Sequence, residues 1–268
     1  LTIKETATMS MTIHSIYRYP IKGLGPEALK QVMLFAGQGI PHDRRFAIAH
    51  ASTCLDPEKP EWLPKTHFFM LMRDEKLAQL HTRFDEQTGF LTIERSGHAL
   101  LRVCLTDSDG RKALETFFSE FFMNHPDGPP KIVEAPGHAF FDAKRKPNSS
   151  TDKYVSLVNL ASVRKVEYAA QASVDPIRLR ANIYFEGAAA WDELDWIGVN
   201  LKMGQARLRV LSPITRCPAT SVNPATAERD LDIPGILQNE FGHNHMGVYA
   251  EVVEDGIVVT GDVIEVLN

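Results

Sequence analysis

The stretch Ser212-Pro-Ile-Thr-Arg-Cys-Pro-Ala-Thr-Ser-Val-Asn-Pro224 sets one cysteine, Cys217, between Arg216 and Pro218. Proline fixes its own φ and biases the preceding residue away from the α region, so the thiol is expected on a stiff, extended loop. The alternating apolar run Ala206 to Leu211 would deliver it at the end of a strand. A neighbouring guanidinium favours thiolate, the form that ligates metals and attacks electrophiles. Thr220, Ser221 and Asn223 add donors and acceptors just downstream. A free cysteine is also a common small core residue, and the local sequence weighs the two readings equally.

Other stretches could supply charge. If Arg178-Leu-Arg-Ala-Asn182 extends as a strand, Arg178, Arg180 and Asn182 share a face. Two guanidiniums and an amide there suit a phosphate or carboxylate, or form the solvated face of an edge strand. Lys22 follows the strand Met11 to Tyr19 in a glycine-bearing turn, and Arg44 lies near the end of a second glycine-punctuated loop, Gly37 to Arg45. The two could meet one anion or remain surface charges. Trp191-Asp-Glu-Leu-Asp-Trp196 clusters carboxylates between indoles and reads as a turn or arginine partner rather than as an acid–base pair. His243 and His245 lack a second ligand pair for zinc, and no G-x-S-x-G elbow supports a serine hydrolase.

The elements that must position these residues are mostly short strands: Phe46 to His50, Phe90 to Glu94, Leu100 to Leu105, Tyr154 to Leu157, Ala181 to Phe185, Leu208 to Leu211, Gly247 to Val253 and Asp262 to Leu267. Leu114, Phe117, Phe118, Phe121 and Phe122 fall at helical spacing, with Asp107 or Asp109 as cap. Asn159 is placed to cap a second helix reaching about Gln171. Asp232, Pro234 and Gly242 bracket a third. Asp255-Gly256 reads as a two-residue hairpin turn. The pattern predicts a closed or nearly closed β-barrel with appended helices. A polar shift across 125–152 suggests a boundary, giving a frayed extension over 1–10 and units over 11–125 and 126–268.

Composition narrows the function classes. The formal charge of −5 argues against general nucleic-acid binding, yet it permits a local basic pocket. Three scattered cysteines, Cys54, Cys104 and Cys217, offer no C-x-x-C pair for zinc or an iron–sulfur cluster and suit a reducing, cytoplasmic setting. No apolar run reaches the roughly 20 residues of a membrane-spanning helix, so no membrane partner is expected. The sequence also shows no secretory signal layout.

Several of these stretches together resemble the MOSC domain proteins (molybdenum cofactor sulfurase C-terminal-like), a family that includes the mitochondrial amidoxime reducing component and bacterial relatives. Tyr19-Pro-Ile-Lys22 is similar to the family's Y-P-[VI]-K, and Gly39-Ile-Pro-His-Asp-Arg44 to G-x-x-x-D-R. Arg178-Leu-Arg-Ala-Asn182 resembles F-R-[PA]-N, with Ala181 in place of the commoner proline. Arg216-Cys-Pro-Ala-Thr-Ser-Val-Asn-Pro224 resembles R-C-x-x-T-x-[VI]-[DN]-P, and Gly261-Asp262 the G-D before the last strand. The resemblance runs in order from Tyr19 to Asp262.

It implies a mainly β fold with a few helices (α+β), a MOSC β-barrel-like domain preceded by an N-terminal β-rich domain. It implies a molybdenum cofactor (Mo-molybdopterin), independent of pyridoxal phosphate, with Cys217 as thiolate ligand to molybdenum. Lys22, Arg44, Arg180 and Arg216 are then candidates for the pterin phosphate, with Ser156, Asn182 and Thr220 as hydrogen-bonding partners. Asn223, where many members carry Asp, would place substrate or an oxygen at the metal. The implied activity is reduction of small N-hydroxylated compounds. The expected electron donor is a separate reductase or ferredoxin-like protein. Two rival readings stand beside it: a cofactor carrier with the same pocket and no turnover, and a sulfur-transfer protein with a Cys217 persulfide and no metal.

Overall fold

A computed structural model describes residues 10–56, 58–59, 61–123, 125–135, 137–143 and 149–267. The extension read over 1–10 therefore lies almost wholly outside the described residues. The first half holds β1 (Thr12–Arg18), β2 (Glu27–Leu29), β3 (Gln31–Leu34), β4 (Phe46–Ala49), β5 (His81–Phe84), β6 (Phe90–Arg95), β7 (His98–Cys104), α1 (Ser108–Phe121) and β8 (Lys131–Glu134). The second holds β9 (Val155–Asn159), α2 (Leu160–Ala170), β10 (Ile183–Glu186), β11 (Asn200–Met203), β12 (Ala206–Thr215), α3 (Ile233–Phe241), β13 (His245–Glu254), β14 (Gly256–Val259) and β15 (Ile264–Leu267). The fold is mainly β with three α-helices among the described residues.

One eight-stranded sheet runs β15-β11-β12-β13-β9-β10-β1-β2. It curls until β1 meets the far edge. Thr12 pairs with Val263, Ile13 N donates to Asp262 O at 2.9 Å, and Ile264 N donates to Met11 O at 2.9 Å. The sheet is thus nearly closed, which satisfies edge groups that an open sheet would expose. β1 and β2 come from the first half of the chain but belong to this sheet. Alternation explains the interior: Ala206, Leu208 and Val210 of β12 point into one buried cluster with Ile13, Leu157, Ile183, Phe185, Val248 and Ala250.

All five residues of β9 are buried because the strand is covered on both sides. Val155 and Leu157 face the barrel interior, while Val158 packs with Val163 and Val166 of α2 and Leu237 of α3. The caps are those expected. Asn159 accepts from Ala161 N, Asp232 from Gly235 N, and Asp107 from Gly110 N. A third cluster joins the β5-β6-β7 meander to α1 through Leu114 and Phe118 and reaches Val222 of the second half.

Two expectations are corrected. Arg178 to Asn182 is not a strand: Pro176–Leu179 is a 3₁₀ turn and Arg180 takes a left-handed φ of 53°, so β10 begins at Ile183. Asp255-Gly256 does not close a hairpin. β14 leaves β13 and pairs antiparallel with β3, Ile257 opposite Met33. Asp255 Oδ1 accepts from Ala36 N at 2.7 Å, and Gly256 lies so near the start of β12 that a Cβ would come 2.3 Å from Ala206 N.

Gly247 in β13 carries a similar constraint. Its φ is +75°, and a Cβ would meet Leu157 O at 2.4 Å. Gly247→Ala is expected to destabilise the fold by about 2 kcal/mol. Urea denaturation checks this; an unchanged midpoint would contradict the packing described.

Candidate functional site

The barrel rim, the Lys22–Gly23 turn and the loop 140–143 enclose a cavity of about 420 Å³. Its ionisable lining is lopsided. Among the described residues, Lys22, Arg44, Lys65, Arg178, Arg180 and Arg216 face a single carboxylate, Asp142. Cys217, Ser156, Asn182 and Thr220 also line it. All but one of the site residues expected from sequence therefore converge on one space in a chain whose net charge is −5.

Asp43 organises the first group. Its buried carboxylate accepts from Tyr19 N at 2.8 Å and Asn182 Nδ2 at 3.0 Å and pairs with Arg44. Arg44, itself at φ 50°, donates from Nη2 to Arg180 O at 2.9 Å. Arg180 donates from Nη1 to Leu24 O at 2.8 Å. Both guanidiniums lie over the Tyr19 ring, at 4.4 Å for Arg44 and 4.6 Å for Arg180. Burial pushes the Tyr19 phenol up to about 12, against the pull of the two arginines. It stays neutral and donates to Ala181 O.

The hydrogen bonds decide which groups remain available. Ser156 Oγ donates to Asn182 Oδ1 at 2.8 Å, and Asn182 Nδ2 also donates to Tyr17 O. This pair ties β9 to the residues ahead of β10. Arg216 donates from Nε to Met246 O at 2.8 Å and from Nη1 to Leu179 O at 2.7 Å, and Nη2 also reaches Met246 O. It lines the cavity, but every one of its nitrogens donates to a backbone carbonyl. Arg178 binds Asp230 Oδ1 at 2.7 Å and Ser221 O at 3.1 Å, while its buried Nε has no hydrogen-bond partner. Arg180 retains Nε and Nη2 without partners among the described residues.

Cys217 follows the end of β12 with an extended backbone, φ −122° and ψ 169°. It is half-buried and caps the 3₁₀ turn Pro218–Ser221. Thr220 holds that turn: its N and Oγ1 both donate to Cys217 O, at 3.0 and 2.9 Å. Asn223 does not line the cavity. Its Oδ1 accepts from Ala225 N and Thr226 N, and its Nδ2 donates to Asp230 Oδ2 at 2.7 Å. It therefore closes a turn and orients the carboxylate that pairs with Arg178. The Asp–Glu stretch is structural: Glu193 is buried, bound by Ser162 and Asn159, and shifted upward by burial. His243 accepts from His245 N and lies off the cavity wall.

Sequence reading missed Tyr19, Asp43, Asp142 and Tyr249 as site residues. Tyr19 and Asp43 stand within motifs already singled out, so their signal was adjacency. Asp142 and Tyr249 carry no local signal.

Lys22 donates to Phe140 O at 2.9 Å and pairs with Asp142. Burial lowers the Lys22 ammonium despite Asp142. Burial also opposes ionisation of Asp142, but Lys22 outweighs it and holds the carboxyl below its ordinary 3.8. A depressed carboxyl stabilises the fold above its unfolded pKa and loses that contribution as pH falls through the folded one. Asp142→Asn is expected to lower the urea midpoint at neutral pH, with the gap to wild type closing below about pH 4. A gap that persists at low pH would contradict the pairing.

Comparison with known proteins places the chain. The profile described as MOSC N-terminal beta barrel domain matches residues 10–125, and that of the MOSC domain matches 144–265. A molybdenum cofactor sulfurase of Drosophila willistoni is 29% identical over 121 residues, 41% of this chain and 15% of that protein. One of Drosophila pseudoobscura pseudoobscura is 31% identical over 94 residues, 35% of this chain and 12% of that protein. The chain thus matches only a small part of these relatives' length. Among solved structures, the YUAD protein from Bacillus subtilis aligns over 96% of both chains at 14% identity and TM-score 0.45. YiiM from Geobacillus stearothermophilus aligns over 42% of this chain and 54% of its own at 16% identity and TM-score 0.34. With the two profiles matched in order along most of its length, the chain belongs to the MOSC domain proteins.

Proposed function

We propose that this chain binds a molybdenum cofactor in the basic cavity, with Cys217 as its thiolate ligand to molybdenum, and reduces N-hydroxylated compounds. The observation that carries this reading is the placement of Cys217 on the wall of a cavity lined, among the described residues, by six cations and one carboxylate. The relatives named molybdenum cofactor sulfurase, which this chain matches in part, support the cofactor part of this reading.

The donor set fits the group. A thiolate suits a high-valent metal already held by dithiolene sulfurs, and a phosphate asks for cations and hydrogen-bond donors. Arg180 offers Nε and Nη2 to the phosphate. Lys22 can exchange Asp142, an exposed partner, for an anionic ligand. Arg44 acts by fixing Arg180 through its carbonyl, and Arg216 by fixing the segments on either side of Cys217. Ser156, Asn182 and Thr220 hold the wall in place rather than reach for ligand.

When bound, the cofactor supplies two-electron chemistry at molybdenum. The overall change is N–OH plus two electrons and two protons, giving N–H and water. Lys22 Nζ and the Tyr249 hydroxyl, which burial keeps protonated, are wall groups able to supply protons. Cys217 would hold the metal, and the apolar wall at Met70 and Phe141 limits water. Electrons arrive from a redox protein outside these 268 residues, which carry no cluster ligand set. We place the activity in the cytoplasm, where three unpaired cysteines persist. No helix among the described residues is long and apolar enough to cross a membrane.

A second reading, a cofactor carrier without turnover, is favoured by one observation: Asn223, expected to handle substrate, is absent from the cavity wall. An assay separates the two. Cofactor-loaded protein with a reduced viologen as donor is expected to convert amidoximes or hydroxylamines to amidines or amines. Cys217→Ser is expected to fall to background, and NADH alone to give no turnover. Loaded protein that consumes no N-hydroxylated compound would favour the carrier, and an unimpaired Cys217→Ser would contradict the ligand assignment.

A further inference from the structure

His50, His125 and Asp127 form a cluster away from the cavity wall, in the part of the chain that packs around α1. Their ligand atoms all lie within 4.8 Å of one another. Asp127 Oδ2 is 3.6 Å from His50 Nδ1 and 3.7 Å from His125 Nδ1. Two ligand atoms held about 2.0–2.2 Å from one tetrahedral zinc stand roughly 3.3–3.6 Å apart, so the two contacts to Asp127 nearly match, while the widest pair, within 4.8 Å, has to close around the ion. His50 is 3% exposed, and its Nδ1 is buried without a hydrogen-bond partner. A buried orphan nitrogen on a ring aimed at a carboxylate calls for a physical reason.

The surroundings supply a second shell. His125 Nε2 donates to Asp74 Oδ1 at 3.0 Å, which places the ring proton on Nε2 and turns the Nδ1 lone pair toward the cluster. A carboxylate behind a ligating histidine is the usual arrangement at zinc sites. Asp74 is itself buried, and its Oδ2 accepts from Met70 N at 2.8 Å. Phe69 packs on both imidazoles, at 4.8 Å from His50 and 4.4 Å from His125, and fixes their planes.

Two contacts compete with a metal. Asp127 N donates to His125 Nδ1 at 3.3 Å, a long bond. The Arg73 guanidinium is the stronger competitor. It lies 2.8 Å from Asp127 Oδ2 through Nη1 and 2.8 Å from His50 Nε2 through Nη2. A guanidinium nitrogen can only donate, so His50 carries its proton on Nδ1 in this arrangement. Metal binding at Nδ1 requires the other tautomer and hence the departure of Arg73. The Arg73 side chain is 39% exposed and can leave to solvent.

We infer that His50 Nδ1, His125 Nδ1 and Asp127 Oδ2 form a site for a divalent ion of the zinc class, with Arg73 as an exchangeable internal cation. Two imidazoles and a carboxylate favour zinc over the hard cations magnesium and calcium, and a fourth position is left to water. The site would join the end of β4 to the loop after α1. Through Asp74 it would also fix the backbone of Met70, which lines the cavity.

The test is titration of the whole, tag-free chain with Co²⁺ by visible absorption and with Zn²⁺ by calorimetry. Wild type is expected to bind one equivalent at this site with tetrahedral Co²⁺ bands. His50→Gln and Asp127→Asn should each weaken binding more than about tenfold, and Asp74→Asn about tenfold. Arg73→Gln should bind more tightly than wild type, an outcome that a merely structural ion-pair cluster does not produce. If His50→Gln does not fold, Asp127→Asn carries the comparison, with thermal melts confirming its fold. Failure of wild type to bind either ion, or equal binding by wild type and Asp127→Asn, would overturn the assignment; the latter would place the ion elsewhere, as at Cys217 or the His243–His245 pair.

Discussion

Gathering several cations around one cavity is costly, because each loses water and all repel one another. The structure answers with acceptors that carry little or no net charge. Burial depresses Arg180 and Arg216 below the usual guanidinium range, yet Arg180 reaches Leu24 O and Arg216 reaches Met246 O and Leu179 O. The face of Tyr19 meets two guanidiniums at once. Among the described residues, only Asp43, Asp142 and Asp230 contribute formal negative charge, to Arg44, Lys22 and Arg178 respectively. A set of cations held mainly by carbonyls keeps a positive field in the cavity, where full ion pairing would cancel it.

Those carbonyls are available because the barrel ends there. Leu179 and Arg180 lie in the irregular segment between α2 and β10, Leu24 follows the Lys22 turn, and Met246 lies at the start of β13, between His245 and Gly247. Irregular backbone has acceptors that no ladder uses. The left-handed φ of Arg44 and Arg180 belongs to the same arrangement, since each turns the chain where its carbonyl or side chain must enter the site. The nearly closed sheet supplies the rigidity, with its interior filled by residues such as Leu157, Phe185 and Val248. Cys217 is thereby fixed between a ten-residue strand, β12, and a turn capped by its own carbonyl.

Much of this was legible in the sequence. The helices announced themselves through caps and spacing, as at Asn159 and Asp232, because capping is local chemistry. The end-of-strand placement of Cys217 followed from its prolines. Other features depend on distant partners. Alternation would suit a strand at Arg178 to Asn182, but Pro176 opens a 3₁₀ turn there and Arg180 ends it with a left-handed φ. Asp255-Gly256 has hairpin chemistry, yet β3 offered β14 a better edge. Asn223 looked like a site residue from its motif, and only the position of Asp230 shows that it faces elsewhere. Asp142 could not be found by pattern, since its role arises from contact with Lys22, 120 residues away in sequence.

The central claim is that the cations and Cys217 hold a molybdenum cofactor. The most direct measurement is molybdenum and pterin analysis of the whole chain purified from a host that loads a control molybdoenzyme. The account requires near-stoichiometric molybdenum and pterin in wild type, loss of metal in Cys217→Ser, and loss of pterin in Arg180→Ala. Absence of both molybdenum and pterin from wild type, with the control loaded, would contradict it and turn attention to sulfur chemistry at Cys217.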